Sequence, residues 1–156
     1  MVIKKGKNPN AFILKDQDGN DIAISDYNDS YKLLSFHPLA WTSVCAKQMK
    51  SIEDNYEKFK KLNTVPFGIS VDPTPSKRAW AKHLRLEKLK ILSDFNPLGY
   101  VAKIMDVFIE KNGTSGRVNI ILNPKGEAVW IKEYELSEVP DIDEVLKALK
   151  EIQEQK

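Results

Sequence analysis

One stretch, residues 32–49, constrains the fold of this chain more than any other. Residues 33–36 form a short apolar run that indicates a buried β-strand. The dipeptide His37–Pro38 then breaks the strand, since proline cannot continue a hydrogen-bonded ladder. Beyond it, apolar residues recur at intervals of four, three, four and three and predict one face of a helix running to about Leu62, namely Cys45, Met49, Ile52, Tyr56 and Phe59.

The only cysteine of the chain, Cys45, falls at the start of that helix. Thr42 and Ser43 occupy positions typical of an N-cap, so we expect Cys45 in the first turn. Unpaired backbone N–H groups and the positive end of the helix dipole favour a thiolate there, which is the reactive form of cysteine. A lone cysteine also serves as a small buried hydrophobe, and its neighbours Met49 and Ile52 suit that interpretation. The helix start and the nearby hydroxyls favour a working thiol.

Short apolar runs alternate with helical patterns along the rest of the chain. The Gly/Asn turn at 16–20 predicts an N-terminal β-hairpin. Further core strands are expected at 65–71, 89–92, 117–122 and 128–134. A helix is predicted after residues 72–76, with one face formed by Ala79, Trp80, His83 and Leu84. A second helix is predicted from Asn96–Pro97 to residue 104 or 105. The last predicted helix runs from Pro140 to the end, with one face formed by Ile142, Val145, Leu146, Leu149 and Ile152. Strand–helix–strand order predicts an α/β fold with parallel central strands and helices on both faces.

Composition narrows the functional class. We expect residues 1–156 to form a single domain, with 42% hydrophobic and 29% charged residues, as in ordinary globular proteins. A net charge of +2, with basic and acidic residues interleaved, argues against nucleic-acid binding. No signal peptide or membrane span is expected, and a single cysteine suggests a reducing, cytoplasmic location. His37, His83 and Cys45 are too few and too scattered for a metal site.

The string FHPLAWTSVC, which contains Pro38, Thr42 and Cys45, resembles the active-site motif of the peroxiredoxins, the alkyl hydroperoxide reductase/thiol-specific antioxidant family. Segments 90–102 and 116–129 are also similar to that family, so the resemblance covers roughly residues 8–150. It implies a thioredoxin-like fold with a mixed central sheet, and a thiol-dependent peroxidase that uses no cofactor. The short chain resembles small forms such as bacterioferritin comigratory protein or alkyl hydroperoxide reductase E more than the large tailed ones.

The resemblance implies a role for each matching residue. Cys45 would attack the peroxide and become a sulfenic acid. Thr42 would hold thiolate and peroxide through its hydroxyl, although a helix cap explains it as well. Arg117 would stabilise the thiolate and polarise the peroxide. Pro38 would shield the thiolate from water, and the backbone N–H groups of Val44 and Cys45 would be further donors.

Weaker expectations attach to three more residues and to the partners. Gln48 could hold the arginine or merely be a surface amide, His37 could line the pocket rim, and Trp41 could meet a second subunit or pack locally. Position 50 is Lys and no second cysteine exists, so an outside thiol would have to reduce Cys45: a thioredoxin, a glutaredoxin, a low-molecular-weight thiol or the cysteine of a partner protein. A redox sensor or holdase on the same fold is the alternative. The lack of a Cys-x-x-Cys pair argues against a dithiol–disulfide oxidoreductase, and a cysteine protease is remote.

Overall fold

A seven-stranded sheet forms the centre of the molecule. The computed structural model describes residue 6, residues 8 and 9, and residues 11–155, so most of the leading segment lies outside it. Two further short strands, β6 and β7, pair with each other apart from this sheet. The strands are β1 Ile13–Lys15, β2 Asp21–Ala23, β3 Tyr31–Phe36, β4 Thr64–Ser70, β5 Lys90–Ser93, β6 Phe108–Ile109, β7 Thr114–Ser115, β8 Arg117–Leu122 and β9 Ala128–Tyr134.

The sheet has the order β2-β1-β5-β4-β3-β8-β9. Strands β3, β4 and β5 run parallel, and all the other neighbours are antiparallel. The predicted N-terminal hairpin and mixed sheet are thus confirmed. Because β3 lies between β4 and β8, its carboxyl end, with Phe36 opposite Val118, adjoins the amino end of β8. This arrangement brings residue 117 to the segment that carries Cys45.

Helices cover both faces of the sheet, as expected. Four of them pack with Leu33, Ile91 and Ile121 on one face, and α4 packs with the hairpin and Phe36 on the other. A short 3-10 helix, Ile24–Tyr27, joins the second face. The helices are α1 Ser43–Asp54, α2 Tyr56–Lys61, α3 Thr74–Leu84, α4 Tyr100–Ile104 and α5 Ile142–Glu154. No helix within the described residues is long and apolar enough to cross a membrane.

Two helix boundaries differ from the prediction. The helix expected to reach Leu62 breaks at Asn55, whose side chain donates to the carbonyl of Ser51 at 2.7 Å and so competes with the helical hydrogen bonds. The helix expected from Asn96–Pro97 begins only at Tyr100, after turns.

The face of α3 also differs from the prediction. Ala79 and His83, which were expected to share a face with Trp80, are exposed, whereas Trp80 is buried. The buried positions are instead Lys77, Trp80 and Ala81. A lysine therefore occupies a position on the core-facing side of this helix.

Candidate active site

Cys45 lies in the first turn of α1, as the sequence predicted. Strand β3 ends at Phe36, residues 37–42 form the connection, and the helix begins at Ser43. The thiol is free and its residue is 0% exposed. The first hydrogen bond of the helix runs from the N–H of Ala46 to the carbonyl of Thr42, at 2.9 Å. The backbone N–H groups of Ser43, Val44 and Cys45 come before it, and a helix provides no internal acceptor for such N–H groups.

Arg117 contacts the thiol directly. Its Nη1 lies 3.2 Å from Cys45 Sγ and donates to Gln48 Oε1 at 2.7 Å. Its Nε and Nη2 both donate to the carbonyl of Leu136, at 3.2 and 2.8 Å. The arginine is only 4% exposed, so these acceptors fix its guanidinium in the interior. A guanidinium so held can stabilise a thiolate and the charge that develops on a leaving oxygen.

Gln48 lies in the interior, against Arg117, and is not a surface amide. Its Nε2 donates to Ser35 Oγ at 2.7 Å and to the carbonyl of Phe36 at 3.2 Å. Gln48 and Cys45 lie three residues apart and therefore share one face of α1. The amide thus joins strand β3 to the guanidinium. Ser35 and Leu136, which complete this network, were not singled out from the sequence because their local context resembles that of any strand or loop residue.

Thr42, Pro38 and Val44 surround the start of the helix. Thr42 has the extended backbone of an N-cap residue, but its side chain makes no capping hydrogen bond. Its hydroxyl donates instead to the carbonyl of Leu39 at 2.9 Å. Thr42 is exposed, and Pro38 and Val44 are half-buried. The hydroxyl is therefore open to solvent beside the turn that contains the thiol.

Trp41 makes local contacts and is 53% exposed. Its backbone has φ of 69°, which an L-residue other than Asn or Asp rarely adopts. Its Nε1 donates to Ser76 Oγ at 3.1 Å, and its ring lies 5.5 Å from that of His83. These contacts attach the connection before Cys45 to helix α3 while leaving half of the indole in solvent.

His37 lies in the interior, 0% exposed, and not at the rim that the sequence suggested. Its Nδ1 lies 3.4 Å from the carbonyl of Ser35 and its Nε2 lies 3.4 Å from Lys77 Nζ. Burial and the neighbouring lysine lower the pKa of His37 well below its usual value of 6.5. Lys77 was missed from the sequence; its position three residues before the buried Trp80 was the one available signal.

The site shows no arrangement for a metal ion. Among residues 11–155 and the few described before them, no group of three or more His, Cys, Asp or Glu side chains could hold one. A cavity of about 190 Å³ borders Arg117 on the side of β6 and β9, with Phe108, Ile109 and Leu136 among its lining residues. Cys45 itself is not among them.

Comparison with known proteins assigns the chain to a family. A family model described as the AhpC/TSA family matches residues 6–131. The chain belongs to the AhpC/TSA family. A chloroplastic peroxiredoxin Q from Populus jackii is 35% identical over 151 residues, which cover 96% of this chain and 70% of that protein. The protein is thus a peroxiredoxin, a thiol-dependent peroxidase and an oxidoreductase.

Solved structures show the same fold at low sequence identity. The reduced 2-Cys peroxiredoxin of Plasmodium vivax has a TM-score of 0.89 at 22% identity, covering 99% of this chain and 83% of that one. Peroxidoxin BcpB from Mycobacterium tuberculosis has a TM-score of 0.83 at 23% identity, covering 96% and 98%. The expected thioredoxin-like fold is therefore confirmed for this peroxiredoxin. Its activity implies a peroxide substrate and a thiol reductant.

Proposed function

We propose that this peroxiredoxin reduces hydrogen peroxide or organic hydroperoxides by a one-cysteine cycle at Cys45. The thiolate sulfur bonds to the terminal peroxide oxygen while the O–O bond breaks, giving a sulfenic acid and a hydroxide or alkoxide that takes a proton from solvent. One external thiol then displaces water from the sulfenic acid to form a mixed disulfide, and a second thiol releases Cys45. The observation that carries the proposal is the contact of 3.2 Å between Arg117 Nη1 and the sulfur of the single cysteine.

We assign roles to the surrounding residues on the strength of their contacts. Arg117 would stabilise thiolate and leaving oxygen, and Gln48 would orient it through the hydrogen bond of 2.7 Å. Thr42 would present its hydroxyl to the peroxide from the exposed side of the first turn. The half-buried Pro38 would shield the sulfur, and the N–H of Val44 would be a further donor.

The reductant and setting are proposed from the cysteine content. With one cysteine the chain cannot form an internal disulfide, so a thioredoxin, a glutaredoxin or a low-molecular-weight thiol would complete the cycle. A lone cysteine also supports a cytoplasmic location. The packing of both faces of one central sheet supports a single domain. The exposed apolar side chains of Leu39, Trp41 and Leu136, close to the site in sequence or by contact, support a homodimer there.

Steady-state peroxide consumption tests the one-cysteine cycle. Purified protein is mixed with excess peroxide and one reductant at a time: dithiothreitol, a glutaredoxin with glutathione, or a thioredoxin with its reductase. Cys45→Ser is the matched control. We expect many turnovers per protein with at least one reductant, no catalysis by the variant, and an intermediate heavier by one oxygen atom in intact mass. Consumption that stops at one peroxide per protein with every reductant would contradict the cycle.

A further inference from the structure

A chain of hydrogen bonds joins Asp72 to Thr42 across the connection that precedes Cys45. Asp72 Oδ2 accepts a hydrogen bond from the backbone N–H of Ala40 at 2.8 Å. The carbonyl of Leu39 accepts one from the hydroxyl of Thr42 at 2.9 Å. Leu39 and Ala40 share one trans peptide unit, whose carbonyl and N–H point in opposite directions. The carboxylate therefore holds one side of this peptide, and the threonine hydroxyl lies on the other.

The contact between Asp72 and Ala40 attaches the backbone of this connection to the sheet. Within residues 38–42, the N–H of Ala40 is the one backbone donor that has an acceptor in the described part of the chain. Ala40 is only 5% exposed, so solvent has little access to replace the carboxylate. Loss of the acceptor would therefore release the peptide that bears the Leu39 carbonyl.

Asp72 is itself fixed by two neighbouring parallel strands. It lies between β4 and α3, and Ser70 Oγ, at the end of β4, donates to the same Oδ2 at 2.6 Å. Ser93 Oγ, at the end of β5, donates to the backbone carbonyl of Asp72 at 2.5 Å. Strands β4 and β5 pair with each other, and Ser70 lies opposite Ser93. The carboxylate thus transmits the rigidity of the sheet to the connection.

The hydrogen bond to the Leu39 carbonyl determines how the Thr42 hydroxyl can act. A hydroxyl has one proton to donate and two lone pairs that accept. A carbonyl can only accept, so the proton of Thr42 is directed at Leu39 and its oxygen is left as an acceptor. A carboxylate that accepts from the N–H of a peptide polarises it and strengthens its carbonyl as an acceptor. Because Thr42 is exposed, this oxygen is open to a ligand arriving from solvent.

We propose that Asp72 is a positioning residue for the peroxidase reaction, which fixes the peptide between residues 39 and 40 and through it directs the Thr42 oxygen to accept a hydrogen bond from the O–H of the peroxide. The inference rests on the proposed function, in which Thr42 presents its hydroxyl to the peroxide. Asp72 touches neither the sulfur nor the peroxide in this account. Its carboxylate acts only through the geometry and polarisation of the peptide that it holds.

A double-mutant cycle on the rate constant for reduced protein with hydrogen peroxide tests the proposal. The four proteins are the parent, Asp72→Ala, Thr42→Val and the double variant, each followed by stopped flow. We expect Asp72→Ala to lower the rate constant on the order of tenfold in the parent, as for the loss of one hydrogen bond to a charged group. Once Thr42→Val has removed the hydroxyl, Asp72→Ala should lower the rate no further. Asp72→Asn keeps an acceptor oxygen for the N–H of Ala40 and should retain most of the parent rate.

Asp94→Ala is the matched control for the loss of a carboxylate. Asp94 follows β5 as Asp72 follows β4, but it accepts hydrogen bonds from the N–H groups of Val101 and Ala102 and from none in the connection. We expect Asp94→Ala to react at the parent rate even if its melting temperature is lower. Asp72→Leu, which has a similar size and no acceptor, repeats the cycle if Asp72→Ala does not fold.

The cycle separates the inference from the proposed function. The inference would be overturned by a parent rate in Asp72→Ala, by an equal slowing with and without the Thr42 hydroxyl, or by an equal slowing in Asp94→Ala. A parent rate in Thr42→Val would overturn it too, since the hydroxyl would then need no positioning. Each of these results leaves peroxide reduction by Cys45 intact. Absence of a Cys45-dependent reaction in the parent would overturn the proposed function and the inference together.

Discussion

The buried amine of Lys77 should make the stability of this protein depend on pH in a way that one substitution removes. Its pKa falls from an ordinary 10.5 to about 7 in the folded protein, because burial disfavours the charge. Between these values the unfolded chain binds more protons than the folded one, so the free energy of unfolding rises with pH. The free-energy cost of burying the charged amine is fully present below pH 7 and decreases as the pH rises toward 10.5.

The size of the effect follows from the two pKa values. From the two pKa values, proton linkage gives the amount by which Lys77 lowers the free energy of unfolding: about 4 kcal/mol at pH 7 and about 2 kcal/mol at pH 9. Lys77→Met removes the titrating group while keeping its volume, so the difference between variant and parent should shrink by about 2 kcal/mol over this range. The variant should be the more stable protein at pH 7.

Urea unfolding monitored by tryptophan fluorescence, at several pH values between 7 and 9, measures this difference. Other titrating groups are common to both proteins and cancel in the comparison. Lys82→Met, on the exposed side of the same helix, should follow the parent at every pH. If the difference in free energy of unfolding between Lys77→Met and the parent is the same at pH 7 and at pH 9, the buried amine does not have a pKa of about 7.

Three substitutions test the contacts around the sulfur, each by stopped-flow reaction of the reduced protein with hydrogen peroxide. Arg117→Ala should slow the reaction on the order of 10²-fold or more; an unchanged rate would remove Arg117 from the mechanism. It should also lower stability by a few kcal/mol, since Leu136 and Gln48 each lose a buried donor. Gln48→Leu should lower the rate about tenfold, which is less than the effect of Arg117→Ala, because the guanidinium keeps its contacts with Leu136. An equal loss of rate in the two variants would mean that the Gln48 amide alone positions the guanidinium. Thr42→Val should slow the reaction with little change in melting temperature, since the hydroxyl caps no helix. A lower melting temperature together with an unchanged rate would mean that Thr42 has a purely structural role.

The sequence predicted most of the sheet because its strands carry strong local signals. Strands β8 and β9 begin and end where the apolar runs and the Asn123–Gly126 turn indicated. The break at Asn55 was missed, since a polar residue is compatible with an exposed helical position. Only its hydrogen bond to the Ser51 carbonyl reveals the break.

The site was predicted only in part, for a different reason. Periodicity and capping signals located Cys45 in its helical turn. The contact with Arg117, however, joins residues 72 positions apart, so it was implied only by the family resemblance. Lys77 escaped detection because amphipathic patterns assume that lysine faces solvent, and only tertiary packing around His37 gives its amine a partner. The burial of a charge leaves no local trace in a sequence.

The second-order rate constant for reduced protein with hydrogen peroxide tests the central claim most directly. Stopped-flow tryptophan fluorescence follows the reaction, since Trp41 lies four residues before the nucleophile, and Cys45→Ser is the blank. We predict a Cys45-dependent reaction several orders of magnitude faster than that of free dithiothreitol at the same pH, because the site holds a guanidinium fixed against the sulfur. A rate no greater than that of the free thiol would contradict the account and leave Cys45 as a residue of the core.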